Sequence, residues 1–247
     1  MSEPSPQQVS SSTPNLERAE RTTCCYLSSS STQFCEIYIM RHGETDWNQQ
    51  GIFQGHTDIP LNAQGEEQAL SLRSIFQHIP FSCVYTSDLM RAKRTAKIVV
   101  SSSPLHENVK IYEHSKLRER CMASWEGKSI ADWRQYISQL STTPNRESTQ
   151  EQVLNFKWDS GVESYGQAFS RLRSFIEEIV HNHWGQTILL STHGGILGSV
   201  LYSLNFQMGR KWRVSNCAWI KIRVSSNLEF SVLDHHGVEL ESYPHHH

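Results

Sequence analysis

Long hydrophobic runs are missing from this 247-residue chain: no apolar stretch approaches the ~20 residues that span a bilayer. That excludes a membrane-spanning helix. The opening residues have no apolar segment of the kind a secretory signal carries. They are Ser-rich, as organellar transit peptides are, but Glu3, Glu17 and Glu20 run against the acid-poor composition of such peptides. A cytoplasmic protein is expected. An excess of charge of one sign is missing too. Lys and Arg total 23 against 25 Asp and Glu, a net charge of −2, so neither nucleic acid nor a membrane surface is expected as a partner. The six cysteines (Cys24, Cys25, Cys35, Cys83, Cys121 and Cys217) form no C-x-x-C pair and no finger spacing. No H-E-x-x-H occurs either, and no metal or cofactor is expected. Cys35, Cys83 and Cys217 fall in apolar runs, which makes them buried free thiols of a reducing compartment. Cys24-Cys25 has no adjoining polybasic or amphipathic segment to make it a lipid anchor. Internal repeats are absent.

What is there begins with residues 1–33, rich in Ser, Thr, Pro and Gln. They cannot bury enough apolar surface to offset the entropy of ordering and are expected to be disordered. From Phe34 short apolar runs alternate with helical periodicity, and residues 34–240 read as one domain. Strands are expected at Cys35–Met40, Ser82–Thr86, Val109–Tyr112 and Thr187–Leu190. Helices are expected at Ala63–Gln77 (Ala69, Leu72, Ile75 and Phe76 inward), Asp88–Val100 (capped by Ser87), Ser164–Trp184 and Ile196–Leu204. Asn216–Val224 and Leu228–Leu233 close the chain as a hairpin around Ser225-Ser226-Asn227. Strands separated by helices predict an α/β three-layer sandwich, with a mostly parallel central sheet and helices on both faces. Residues 128–161 are polar and irregular, with Trp133, Arg134, Tyr136, Arg146, Lys157 and Trp158 scattered through them. An insertion of this kind forms the lid or wall of a site. His235-His236 reads as a turn and His245–His247 as an exposed tail.

In open α/β sheets ligands bind beyond the carboxyl ends of the strands. Arg41-His42-Gly43-Glu44 and Ser191-Thr192-His193-Gly194-Gly195 both fall at such ends, so the topology brings His42 and His193 together. A lone strand-end histidine is as well explained by a buried, hydrogen-bonded ring. Two in matching contexts, one beside an arginine, point to attack on a phosphate. Ser87-Asp88-Leu89-Met90-Arg91-Ala92 follows another strand and puts Arg91 in the first turn of a helix at the same edge, where it suits an oxyanion. Leu117-Arg118-Glu119-Arg120 offers that edge a carboxyl group fit to donate a proton to a departing oxygen. Arg118 and Arg120 are alternative ion-pair partners for it.

Arg41-His42-Gly43-Glu44-Thr45-Asp46-Trp47-Asn48, continued by Gly51, Gln54-Gly55, Asp58, Pro60-Leu61 and Gly65, resembles the opening motif of the histidine phosphatase, or phosphoglycerate mutase-like, superfamily. Ser87–Ala92, Leu117–Glu119, Trp125-Glu126-Gly127, Glu163-Ser164 and His193-Gly194-Gly195 match its later motifs in order, over roughly residues 35–235. The resemblance implies that His42 is the nucleophile, carried through a phosphohistidine. It implies that Arg41, Arg91 and His193 hold the phosphoryl oxygens, helped by Asn48, Gln54, Gly55 and Gly194. Glu119 would be the proton donor, then the base for the attacking water. Such a site needs positioning and charge neutralisation more than covalent work, and Arg and His supply both.

Mutase-type relatives follow the second histidine with Gly-Asn and carry adjacent arginines for a second acidic group. This chain has Gly194-Gly195 and no Arg-Arg pair. Hydrolysis of a small phosphorylated metabolite is therefore expected, with a cofactor-dependent phosphoglycerate mutase and a non-catalytic phosphate-binding pseudoenzyme as the alternatives. Ala123 and Gly198 stand where relatives usually have glycine and arginine, and Cys121-Met122 replaces a polar-aromatic pair. Dimers are common among such folds, and a homodimer is the oligomer to test.

Overall fold

The computed structural model describes residues 33–101, 103–141, 143–144, 148–204 and 211–241. The expected tail (all but Gln33), Cys24-Cys25, Arg146 and His245–His247 lie outside the described residues. The apolar run at Ile37–Met40 is the core of β1 (Phe34–Arg41). It is buried on both faces, and strand period two divides its residues. Ile37 and Ile39 enter one core cluster while Tyr38 and Met40 enter the other. β2 (Phe81–Thr86), β3 (Lys110–Glu113) and β4 (Thr187–Thr192) join it in parallel. β5 (Lys211–Ser225) and β6 (Phe230–Glu241) add an antiparallel edge. The six-stranded order is β3-β2-β4-β1-β5-β6.

Helices α2 (Ala63–Phe76) and α3 (Met90–Val100) cover one face through Ala69, Leu72, Phe76, Ala96 and Val99. Helices α6 (Tyr165–Val180) and α7 (Gly194–Ser203) cover the other through Leu172, Phe175, Ile176, Leu197 and Val200. The three-layer expectation is met. Cys35, Cys83 and Cys217 are buried free thiols, and burial pushes their pKa up to about 12, 11 and 12. Among the described residues no helix is long and apolar enough to cross a membrane.

Several local expectations are corrected. Ile75 is 41% exposed, because the core-facing stripe of α2 runs through Ala69, Leu72 and Phe76. α3 begins at Met90, and Ser87 is not its cap. Met90 N–H donates instead to Asp58 Oδ1 (2.7 Å) from a distant loop, while Ser87 Oγ accepts from Leu89 N–H (3.3 Å). α6 starts one residue later than expected and ends at Val180. Its cap is Ser164, in a capping box with Gln167. His235 and His236 sit within β6, where pairing with Ile220 and Trp219 of β5 overrides their turn-like composition.

The described part of residues 128–161 is not wholly irregular. It contains α4 (Ile130–Ser138) and α5 (Gln150–Asn155), after a short α1 (Asp46–Gln49) earlier in the chain. Trp133, Tyr136, Ile137 and Phe156 pack against a separate small core of Met122, Trp125, Trp158 and Val162. Ala123 enters that region with φ +50°, so the position where relatives carry glycine does demand the left-handed conformation. An L-residue there costs about 1–2 kcal/mol, and glycine's extra unfolded-state freedom recovers roughly half of it. Ala123→Gly is therefore expected to stabilise the fold by about 0.5–1 kcal/mol, read as a higher urea midpoint at unchanged slope. A lower midpoint would show that the alanine is not strained.

Candidate active site

Strand register builds the centre. Met40 pairs with Ser191 and Arg41 with Thr192, and the ladder ends as His42 N–H donates to Thr192 C=O (3.0 Å). His42 and His193 thus leave the sheet side by side, rings edge to face with centroids 5.2 Å apart. The His42 ring is positioned by Nδ1, 2.6 Å from the Gly43 carbonyl oxygen. A carbonyl only accepts, so the proton is assigned to Nδ1 and the lone pair to Nε2. Among the described residues neither nitrogen of the fully buried His193 ring has a hydrogen-bond partner.

Two close backbone approaches fix the loop after His42. A Cβ on Gly43 would overlap the Gly65 carbonyl, and one on Gly65 would overlap that of Glu44. Gly43 N–H also donates to Thr95 Oγ1 (3.0 Å). Asn48 Oδ1 accepts from Thr45 and from Asn216 Nδ2 (3.1 Å), which leaves its amide N–H groups as what it offers to a cavity it lines. Asn216 also donates to the His42 carbonyl oxygen (3.2 Å), as does the Cys217 N–H (3.2 Å). Both sit in a bulge of β5 between Val214 and Trp219, where Cys217 has φ +58°.

Arg91 is completely buried, its Nη1 on the Thr57 carbonyl and Nη2 on that of Gly55 (both 2.8 Å). Burial lowers its pKa to about 10, so it remains a cation at neutral pH. Gly55 has φ +51°, and a Cβ there would overlap the carboxylate of Glu126. That carboxylate accepts from His56 N–H (2.9 Å) and from the Thr57 N–H and hydroxyl (3.1 and 2.9 Å). Glu126 thereby holds the loop that presents Gln54 and Gly55. Arg41 donates to the Val214 carbonyl, and burial lowers its pKa against the raising influence of Glu119.

Glu119 is gripped by backbone. Its Oε1 accepts from Arg120 N–H (2.7 Å) and its Oε2 from Gly195 N–H (2.9 Å), in the first turn of α7. Neither flanking arginine pairs with it. Arg118 makes a bidentate pair with Asp88 (2.8 and 2.6 Å). Arg120 donates twice to the Glu163 carbonyl (3.0 and 2.6 Å) and lies on the Tyr165 ring, 3.9 Å from its centroid. A Glu163–Arg171 pair (3.0 and 2.8 Å) braces the loop from below, with Arg171 also donating to the Lys116 and Arg118 carbonyls.

One cavity of about 880 Å³ is lined by Arg41, His42, Asn48, Gln54, Gly55, Arg91, Glu119 and Gly194. Of the residues expected from sequence only His193 is not in its wall; it backs His42. Residue types alone gave no role to Glu126, Asn216, Thr95 or the Glu163–Arg171 pair. Glu126 and Glu163 stand within quoted motifs, which was the available signal; Asn216 and Thr95 had none. Among the described residues no three His, Cys, Asp or Glu side chains are grouped closely enough to hold a metal ion.

A sequence profile described as the histidine phosphatase superfamily (branch 1) matches residues 37–233. The chain belongs to that superfamily. The "Probable phosphoglycerate mutase GpmB" of Escherichia coli O1:K1 is 29% identical over 199 residues, which cover 78% of this chain and 86% of the relative. A phosphoglycerate mutase from Bacillus anthracis str. Sterne aligns with a TM-score of 0.71 at 24% identity, over 82% of this chain and 93% of that one. Phosphoserine phosphatase from Entamoeba histolytica, in complex with 3-phosphoglyceric acid, gives 0.63 at 21% identity over 85% and 98%. These structures bear on the fold.

In this histidine phosphatase superfamily member both site imidazoles are held neutral. Burial is the largest cause of their strongly lowered pKa values, followed by the Arg91 charge. Arg41 adds to both, and the Gly43 carbonyl partly opposes the shift at His42. The sign of the linkage follows. Below about pH 6.5 the unfolded chain protonates these rings and the native chain does not, so stability falls as pH falls. Each ring contributes a slope of roughly 1.4 kcal/mol per pH unit, from about 6.5 down to its native pKa. Urea unfolding of wild type and His42→Ala from pH 7.5 to 5 is expected to show a shallower fall in the variant. Parallel curves would mean that His42 titrates normally.

Proposed function

We propose that this protein is a metal-independent phosphatase that hydrolyses a small phosphorylated metabolite through a phosphohistidine on His42. The observation that carries the reading is one cavity in which a neutral imidazole, the guanidinium groups of buried Arg91 and part-buried Arg41, and a carboxyl group converge. In the first step the Nε2 lone pair of His42 attacks phosphorus. The bond from phosphorus to the alcohol oxygen breaks, and that oxygen takes the proton of the Glu119 carboxyl group. In the second, water attacks the phosphohistidine, the Glu119 carboxylate takes its proton, and the P–N bond breaks to free phosphate and His42. Arg41, Arg91 and the Asn48 amide hold the phosphoryl oxygens, with Gln54, Gly55 and Gly194 shaping the wall and His193 packed behind His42. Guanidinium groups held in place beforehand stabilise the charge of the transferring group. Helices α4 and α5 act as the lid.

The name of the GpmB relative raises the mutase reading, which requires a site that retains a bisphosphate. Hydrolysis is supported over it by Gly194-Gly195 where mutase-type relatives have Gly-Asn, and by the lack of an Arg-Arg pair for a second acidic group. The test is release of inorganic phosphate from a panel of phosphomonoesters with EDTA present. Multiple turnover is expected. Interconversion of phosphoglycerate isomers, stimulated by bisphosphoglycerate and without net phosphate release, would overturn the reading.

A further inference from the structure

The cavity is far larger than a phosphoryl group. Its 880 Å³ corresponds to the liquid volume of roughly 30 water molecules. Arg41, His42, Arg91 and Glu119 supply the charged and titratable groups of the reaction. The wall also includes Phe53, Met122, Trp133, Ile137, Phe156 and Trp158, beside polar side chains such as Gln150 and Tyr202. Trp133 is set edge-on to both Phe53 and Trp158, with ring centroids 5.6 and 5.2 Å apart, so the aromatic wall is pre-formed. Among the described residues Glu119 is the only acidic side chain that lines it, and no lysine does. Arg120 is engaged as described, and Arg134 is exposed. A compact, charged leaving group would leave most of that apolar wall facing water. An apolar alcohol would cover it, and contact remote from phosphorus can be used to orient the reacting end.

We infer that the phosphomonoester carries a bulky, largely apolar alcohol, an aryl or medium-chain alkyl group, lying against Trp133 and Trp158. The reaction assumed is the hydrolysis proposed above; the identity of the alcohol rests on the cavity wall alone. The first arm of the test needs no turnover. Calorimetric Kd values of alkylphosphonates from methyl to octyl are measured on the full chain. Affinity is expected to rise about fourfold per buried methylene over the first several carbons, about 10²-fold or more in all. Trp133→Ala, with Ile137→Ala as the second variant should the first fail to fold, is expected to flatten that dependence. Affinity independent of chain length would overturn the inference, whether or not the chain hydrolyses anything. In the second arm, kcat/KM for naphthyl and hexyl phosphate is expected to exceed that for 3-phosphoglycerate and phosphoserine by about 10²-fold, and the reverse order overturns it. Chain-length-dependent phosphonate binding with no hydrolysis of any substrate would uphold the apolar site and remove the phosphatase reading.

Discussion

His42→Ala is expected to lower kcat by roughly 10⁴- to 10⁶-fold, the scale seen when a covalent nucleophile is removed. The loss should fall on turnover and not on the fold. The ring makes one side-chain hydrogen bond, to the carbonyl of its own neighbour Gly43, and the loop around it is held by Thr95, Gly65 and Asn216. Arg41 and Arg91 keep their places, so a phosphate analogue should still bind with affinity within about tenfold of wild type, a difference of ~1.4 kcal/mol. Steady-state kinetics and calorimetry on one preparation separate the two effects. Residual activity within tenfold of wild type would mean that water attacks the substrate directly.

Gly195→Ala should cost about 10²-fold in kcat, the penalty of a misplaced catalytic group, although Gly195 itself does no chemistry. An added Cβ would overlap Glu119 Oε1 and stand 3.1 Å from its Cδ and 3.0 Å from Arg120 Cδ. The carboxylate is the movable end of a side chain, so the collision is relieved by displacing it, and the Gly195 N–H bond to Oε2 is strained or lost. Stability should change little. Because Glu119 protonates the departing oxygen, the defect in kcat/KM, which reports only the steps up to the phosphohistidine, should be large for alkyl phosphates and small for p-nitrophenyl phosphate, whose leaving group needs no proton. Glu119→Gln should show the same leaving-group dependence, and the double variant should be no worse than Glu119→Gln alone. Equal losses of kcat/KM across leaving groups would assign Glu119 a structural role instead.

Much of this site was legible in the sequence because it is written in strand ends. Ile37–Met40 and Thr187–Leu190 are short, continuous apolar runs, and two parallel buried strands in register deliver whatever follows them to one edge. His42, His193 and Arg91 inherit their places from that rule. Features set by long-range pairing were not legible. The β5 bulge that brings Asn216 and Cys217 to the His42 carbonyl depends on how β5 meets β1 and β6, and nothing local marks it. Asp58 caps a helix thirty-two residues away, so Ser87, the local candidate, was the wrong choice. Helices α4 and α5 escaped notice because several of their apolar residues face the cavity or the small third core, which dilutes the amphipathic signal toward the main sheet. His235-His236 shows the same limit in a strand, its polar composition outweighed by the ladder it completes.

The most direct test of the central claim is to trap the intermediate. The full chain is mixed with substrate, quenched within milliseconds in base, where phosphohistidine survives, and digested for mass spectrometry. A phosphoryl group on the peptide carrying His42, absent from His42→Ala and discharged at a rate at least equal to kcat, is the predicted result. Phosphate release at full rate with no label on His42 would contradict it.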